Sequence, residues 1–362
     1  MKILPNLTGL RFVLAFLVVI FHIPEFCKNR GFPFFNNLSI LNKGQEAVYV
    51  FFSLSGFLII RQLYIEKSTT NTINLISFYK RRILRIFPLY YLILSFGLIY
   101  YRLILPSFGF YYQSNYDLLE GILLSYTFFC NIFAVYNPGG IIEILWSISI
   151  EEQFYLLIAP LLFLVPNRYI KRFLFVFSLV YFTFYFSEKL YLLKEYQMLF
   201  FYFSFSGLCS ILMLNDTVKL HKYSYLFLLI FTFYFATPYF RDYLDNVFYH
   251  FFSMVLFGLT ISSLSVEPMK LLENKAFKYL GKISYGIYMY HAIMIQFVGF
   301  LFLKLNSTVV FSGFYNIIIF NLLVFIFTII TAHLSYKYFE SYFLNLKKNS
   351  LVDLQNRNKL KL

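Results

Sequence analysis

Arg11 and His22 are the first side chains in this sequence whose types suit chemistry, and nothing charged or polar separates them. Eleven residues make about three helical turns, so the pair would share one helix face, roughly 16 Å apart along the axis. A cation low in an apolar run and an imidazole higher up fit a long anionic substrate whose reactive end stops near the histidine. An arginine snorkelling to one interface and a histidine at headgroup level would produce the same pattern. Glu25, three residues past His22, suits either reading.

Four further blocks place polar groups inside apolar runs, where an ionisable side chain costs on the order of 2.5–3.5 kcal/mol on the insertion scale. In Phe51-Phe52-Ser53-Leu54-Ser55-Gly56-Phe57, two hydroxyls and a glycine let another helix or an acyl chain approach the backbone. Arg82 and Arg85 are i, i+3 neighbours and form a paired guanidinium clamp suited to phosphates, although topology alone also explains their sign. The only tryptophan, Trp146, opens a string in which Ser147, Glu151 and Tyr155 share a face at i, i+4 and i+8. Glu152 points elsewhere, where the helix dipole is reason enough for it. Ser284, Tyr288 and His291, at i, i+4 and i+7, form a polar stripe ending at a histidine that serves equally as a ligand or as a satisfied core residue. His221, His250 and His333 have no comparable surroundings.

The elements that position these blocks must be membrane helices. The chain has 362 residues, 60% hydrophobic and 13% charged, which excludes a soluble domain. Cys27, Cys130 and Cys209 lack metal-ligand or disulfide-framework spacing. The net charge of +14 sits between apolar spans, the pattern of membrane-protein loops rather than of a nucleic-acid binder. Eleven apolar runs are long enough to consider: 7–26, 46–64, 86–105, 118–135, 145–165, 173–186, 198–214, 223–240, 247–266, 283–303 and 312–343. The basic loops around Lys80–Arg85 and Lys270–Lys282 fall on one side only if 118–135 does not cross. The expectation is therefore an all-α polytopic membrane protein with about ten transmembrane helices, one re-entrant or interfacial segment and both termini cytoplasmic. Residues 1–343 form one membrane domain and 344–362 a basic tail. No small-residue cleavage site follows the first run, which reads as a retained span.

In order and spacing, the five blocks resemble the integral-membrane acyltransferase family 3, whose members transfer acyl groups, usually acetyl from acetyl-CoA, to cell-envelope glycans and other acceptors. The matching strings are Leu7-x-Gly9-Leu10-Arg11 with His22, Phe52-x-Leu54-Ser55-Gly56-Phe57-Leu58, Arg82-x-x-Arg85-x-x-Pro88, Trp146-Ser147-x-x-x-Glu151-x-x-Phe154-Tyr155 and Ile283-Ser284-Tyr285-x-x-Tyr288-x-x-His291. Thr8 departs from the pattern, which usually has an acidic residue there. The resemblance implies a membrane O-acetyltransferase of the bacterial cytoplasmic membrane that uses acetyl-CoA, needs no metal, and acts on a cell-surface polysaccharide or lipid-linked glycan. Arg82 and Arg85 would receive the donor's phosphates, with Arg11 further along its pantetheine arm. His22 would be general base or transient acyl carrier, with Glu151 orienting or charge-stabilising the imidazole. Ser55, Trp146, Ser147, Tyr155, Ser284, Tyr288 and His291 would bind substrate. A lipid-linked oligosaccharide flippase would share the aromatic, basic-looped composition, but would carry internal repeats and polar residues spread over many helices.

Overall fold

The computed structural model describes residues 4–35, 38–112, 115–215, 220–305 and 313–346, and all regular structure among them is helical. Twelve helices carry the architecture: α1 Leu7–Arg30, α2 Gly44–Thr70, α3 Leu75–Ile99, α4 Leu118–Tyr126, α5 Trp146–Leu164, α6 Ile170–Tyr185, α7 Phe200–Leu212, α8 Ser224–Ala236, α9 Asn246–Leu264, α10 Lys275–Lys282, α11 Ser284–Leu305 and α12 Gly313–Ser335. The chain is a polytopic all-α membrane protein. Among the described residues seven helical stretches are long and apolar enough to cross a membrane, and an eighth results if Asn167–Tyr185 and Glu188–Glu195, bent by 88°, form one broken span.

Among the described residues the expected count of ten is not confirmed. The runs 198–214 and 223–240 fold only as α7 and α8, of 13 residues each. At 1.5 Å per residue such a helix covers about 20 Å, short of a hydrocarbon core of about 30 Å. The run 118–135 breaks into α4, Cys130–Phe133 and a 3-10 turn at Ala134–Tyr136, none long enough to cross. The basic tail expected over 344–362 lies, from 347 onward, outside the described residues.

Local chemistry sets the helix ends. Asn74, Asp117, Asp245 and Asn274 each accept backbone N–H bonds from the first turn of α3, α4, α9 and α10. At the other end of α5, Lys67 reaches from α2 and its ammonium donates to the carbonyls of Leu162, Phe163 and Val165 at 2.7, 2.8 and 2.6 Å. A cation there also complements the negative end of the helix dipole.

Because lipid is as apolar as leucine, helices in a bilayer associate through close packing and polar contacts. The most extensive contact in the bundle joins α2 to α7. Gly56 makes it possible: a Cβ on Gly56 would lie 2.1 Å from the Phe203 carbonyl oxygen. Beside it, the Phe203 ring stacks on Phe52 and Phe154, with centroids 4.8 and 4.5 Å apart. The start of α1 is clamped as firmly. The Asn6 amide donates to the carbonyls of Leu264 and Glu267 and accepts from the Met269 N–H, while a Cβ on Gly281 would meet the Thr8 carbonyl. These contacts fix the height of Arg11. On α6, Phe175, Val176, Leu179 and Phe184 face outward, where lipid replaces water as the neighbour.

Candidate active site

Four helices and the clamped start of α1 converge on a narrow cavity of about 100 Å³. α1 contributes Arg11, α2 Ser55, α3 Arg82 and Arg85, α5 Ser147, Glu151 and Tyr155, and α11 Ser284 and Tyr288. Within each helix the i, i+3 or i, i+4 spacing puts these side chains on one face, which is why they arrive as sets. Glu151 is held from two sides: Oε1 accepts the Ser55 hydroxyl at 2.9 Å and Oε2 the Tyr155 hydroxyl at 3.0 Å. The charges of Arg85, Glu151 and Arg82 all act on Arg11. Three guanidiniums against one carboxylate leave the cavity electropositive, the property that draws in an anion. The Arg82 guanidinium lies between the rings of Phe78 and Tyr155, 5.9 and 5.8 Å from their centroids, and its buried Nε has no hydrogen-bond partner.

A wider chamber of about 600 Å³ opens toward the end of the bundle where α1 finishes. His22, Glu25, Glu143, Trp146 and Gln296 line it. His22 Nδ1 is 3.7 Å from Glu25 Oε2, and its ring centroid is 5.2 Å from that of His291. His291 is fully buried. Its Nδ1–H donates to the Tyr288 carbonyl, so the neutral ring carries its lone pair on Nε2, an atom without a hydrogen-bond partner.

One hydrogen-bonded link separates the two spaces. The Tyr288 hydroxyl donates to the Ile144 carbonyl at 2.8 Å and lies 2.7 Å from Ser147 Oγ. A phenol has one proton, so the Ser147 hydroxyl must be the donor to Tyr288. Tyr288 and Ser147 face the arginine cavity, whereas Ile144 and the adjoining Trp146 face the chamber. Trp146 meets Phe52 edge-on at 5.8 Å, closing the remaining gap with aromatic bulk.

Sequence reasoning found nine residues of the arginine cavity and two of the chamber, with His291 between them. Glu151 and His22, however, line different spaces. Glu151 bonds Ser55 and Tyr155, while the carboxylates near the imidazole are Glu25 and Glu143. Glu143 was missed; the signal available was an acidic residue just after Gly139-Gly140, whose Gly139 N–H it accepts at 3.1 Å. Tyr285, also missed, lines the arginine cavity and donates to the Ile86 carbonyl at 2.9 Å. Gln153 pins the non-crossing segment, donating to Phe128 O and Asn131 Oδ1 at 2.8 Å each. Among the described residues no three His, Cys, Asp or Glu side chains converge to hold a metal ion.

The helical membrane bundle thus holds an arginine-lined cavity on one side of a thin wall and a histidine-bearing chamber on the other, an arrangement suited to passing a group between two substrates. Residues 4–337 match the family model described as an acyltransferase domain, and the chain belongs to that family. It is similar to the "Putative acetyltransferase ORF330" of Acidianus two-tailed virus, with 27% identity over 291 residues, 76% of this chain and 80% of that protein. It is also similar to the O-acetyltransferase OatA of Staphylococcus aureus (30% identity) and the peptidoglycan O-acetyltransferase OatA of Listeria monocytogenes (29%), each over 181 residues and 47% of this chain. The chain spans about a quarter (26%) of the length of those two proteins. No solved structure matches.

Proposed function

We propose that this protein transfers an acetyl group from a cytoplasmic acyl-CoA to a hydroxyl of a cell-envelope glycan. The observation that carries this reading is the shared wall: an arginine cavity and a histidine chamber separated by the Tyr288–Ser147 link. The names of the Staphylococcus and Listeria relatives support O-acetyl transfer and, for the second, a peptidoglycan acceptor. The basic loops support a cytoplasmic arginine side.

On this reading Arg82 and Arg85 hold phosphate oxygens of the donor, and Arg11, with Glu151 beside it, guides the arm inward. The acceptor hydroxyl comes from the chamber. Its oxygen bonds to the thioester carbonyl carbon, the C–S bond breaks, and the hydroxyl proton passes to the His22 imidazole and then to the departing thiolate. In the carrier variant the imidazole first takes the acetyl group, releasing the thiol, and then yields it to the hydroxyl. Either role makes His22 worth about 10²–10⁴ in rate.

Membranes containing the protein, supplied with radiolabelled acetyl-CoA, should label an envelope glycan, and His22→Ala should abolish labelling while the protein stays inserted at normal abundance. Wild-type acetyl content in that variant sinks the proposal.

A further inference from the structure

A third cavity, of about 430 Å³, opens at the end of the bundle where α2 begins and shares no lining residue with the other two. Its volume falls in the range of small-molecule sites, roughly 300–1,000 Å³. Its floor is a buried ion pair. Lys43 and Glu46 are 2% and 3% exposed, with Nζ 3.6 Å from Oε1, and the Lys43 ammonium lies 4.8 Å from the centroid of the Tyr234 ring. The Tyr249 hydroxyl donates to the same Oε1 at 2.7 Å and accepts from Lys43 at 3.2 Å, and Arg241 Nη1 stands 3.9 Å from it. Every partner thus crowds onto Oε1. Oε2, equally buried on a residue that lines the cavity, has none. Buried ion pairs are a poor source of stability, and a carboxylate oxygen can only accept. This one therefore selects a ligand that brings a donor.

The rest of the lining says what kind of donor. Gln45, Gln197 and Asn246 bring carboxamides that both donate and accept, the first two bonded to each other at 3.2 Å, and the nearly buried Tyr49 and Tyr185 complete the wall. Amides that both donate and accept, beside a carboxylate oxygen that can only accept, together match the hydroxyls of a sugar. Lys194 and Arg241 add two cations to a cavity whose single carboxylate is already neutralised by Lys43. That surplus matches an anionic substituent.

We infer that this cavity binds an acidic saccharide unit, with sugar hydroxyls donating to Glu46 Oε2 and a carboxylate or phosphate accepting from Arg241 and Lys194. It rests on the glycan-acceptor reading and narrows it to a polymer carrying negative charge. Such a site would hold one stretch of the chain while another enters the His22 chamber.

The test is binding, read without acetyl-CoA. Purified protein in phosphatidylcholine nanodiscs is titrated with a galacturonic acid trimer and, separately, with a neutral galactose trimer. The acidic trimer should bind about tenfold more tightly, and Arg241→Gln should erase that preference. Glu46→Gln, nearly isosteric, should weaken both trimers. The Arg241 side chain is 63% exposed, so its replacement leaves the fold intact, which an unchanged thermal unfolding curve verifies. Equal affinity for the two trimers, or a preference that survives Arg241→Gln, overturns the inference. Competition of the acidic trimer by phosphatidylglycerol added to the nanodiscs assigns the cavity to a lipid headgroup and overturns it as well. A chain that acetylates a glycan but fails to bind the acidic trimer defeats this inference alone, and one that binds the trimer without transferring acetyl defeats only the acetyltransferase reading.

Discussion

The hydroxyls of Tyr288 and Ser147 lie 2.7 Å apart and join α11 to α5 where the two polar cavities come closest. Because Tyr288 gives its proton to the Ile144 carbonyl, the two members of the pair are not equivalent. Tyr288→Phe strands both the carbonyl and the serine hydroxyl, at a cost of about 1–3 kcal/mol. Ser147→Ala keeps the bond to Ile144 and should cost less. Thermal unfolding in detergent checks the order. In the transfer test, Tyr288→Phe should also raise the ratio of free labelled acetate to labelled glycan, since water gains access to the donor.

On the proposed function Arg82 and Glu151 sit with the donor, and Glu25 with the acceptor. Arg82→Ala should raise the KM for acetyl-CoA about tenfold, or ~1.4 kcal/mol, with kcat less affected. Arg82→Lys should recover only part of this, because an ammonium cannot form the paired bonds of a guanidinium. Glu151→Gln should alter the kinetics in acetyl-CoA and spare the acceptor KM, whereas Glu25→Gln should do the reverse. Steady-state kinetics with both substrates varied decides between them.

Lys67→Met removes the donor to three carbonyls that end α5 and leaves them inside the protein. The loss should reach about 3 kcal/mol, measured as a lowered unfolding temperature with substrate affinities unchanged in the molecules that remain folded.

Gly56→Ala forces a methyl group against the Phe203 backbone, which cannot swing aside as a side chain would. The variant should express poorly and unfold early, with a penalty of about 1–3 kcal/mol or more. Ser55→Ala, one residue away, should fold normally and lose only a bond to Glu151.

Outside the spans, Glu273 anchors the start of α1. Partial burial works against its ionisation, but the Lys278 ammonium and the Asn6 N–H outweigh that and hold the carboxyl below its ordinary value of 4.5. For an acid depressed in this way the stabilisation is complete above the ordinary value and disappears as the pH falls through the lowered one. Stability should therefore decline in that acidic window, and Glu273→Gln should flatten the decline. Unfolding temperatures across pH 3 to 6 give the comparison, with about pH 4.5 as its upper landmark.

What could be read from the sequence was whatever a single helix determines. The spacing of Ser147, Glu151 and Tyr155, of Arg82 and Arg85, and of Ser284 and Tyr288 is local geometry, and each set faces the arginine cavity as a unit. Which set meets which depends on how far the helices slide past one another. That is why Glu151 was paired with His22 on paper but belongs with Arg11 in the bundle. The same limit hid the Lys43–Glu46–Tyr249 cluster, whose tyrosine lies more than 200 residues from the other two. His250, passed over for want of neighbours, bonds Tyr202 and lines the third cavity. Helix count is unconfirmed for another reason. Hydropathy marks an apolar run but not the points where the backbone breaks, and α7 begins just past Gln197, whose φ of 52° interrupts the helical path.

A membrane that stores energy as an ion gradient cannot tolerate a continuous thread of water. Here a hydroxyl pair and the edge of Trp146 against Phe52 stand between two polar spaces. On the proposed function an acetyl group passes this barrier bonded first to the donor and then to the acceptor, with no hydration shell to shed. That hand-over needs no opening wide enough for a hydrated sodium ion, so such a transfer would not cost the cell its membrane potential.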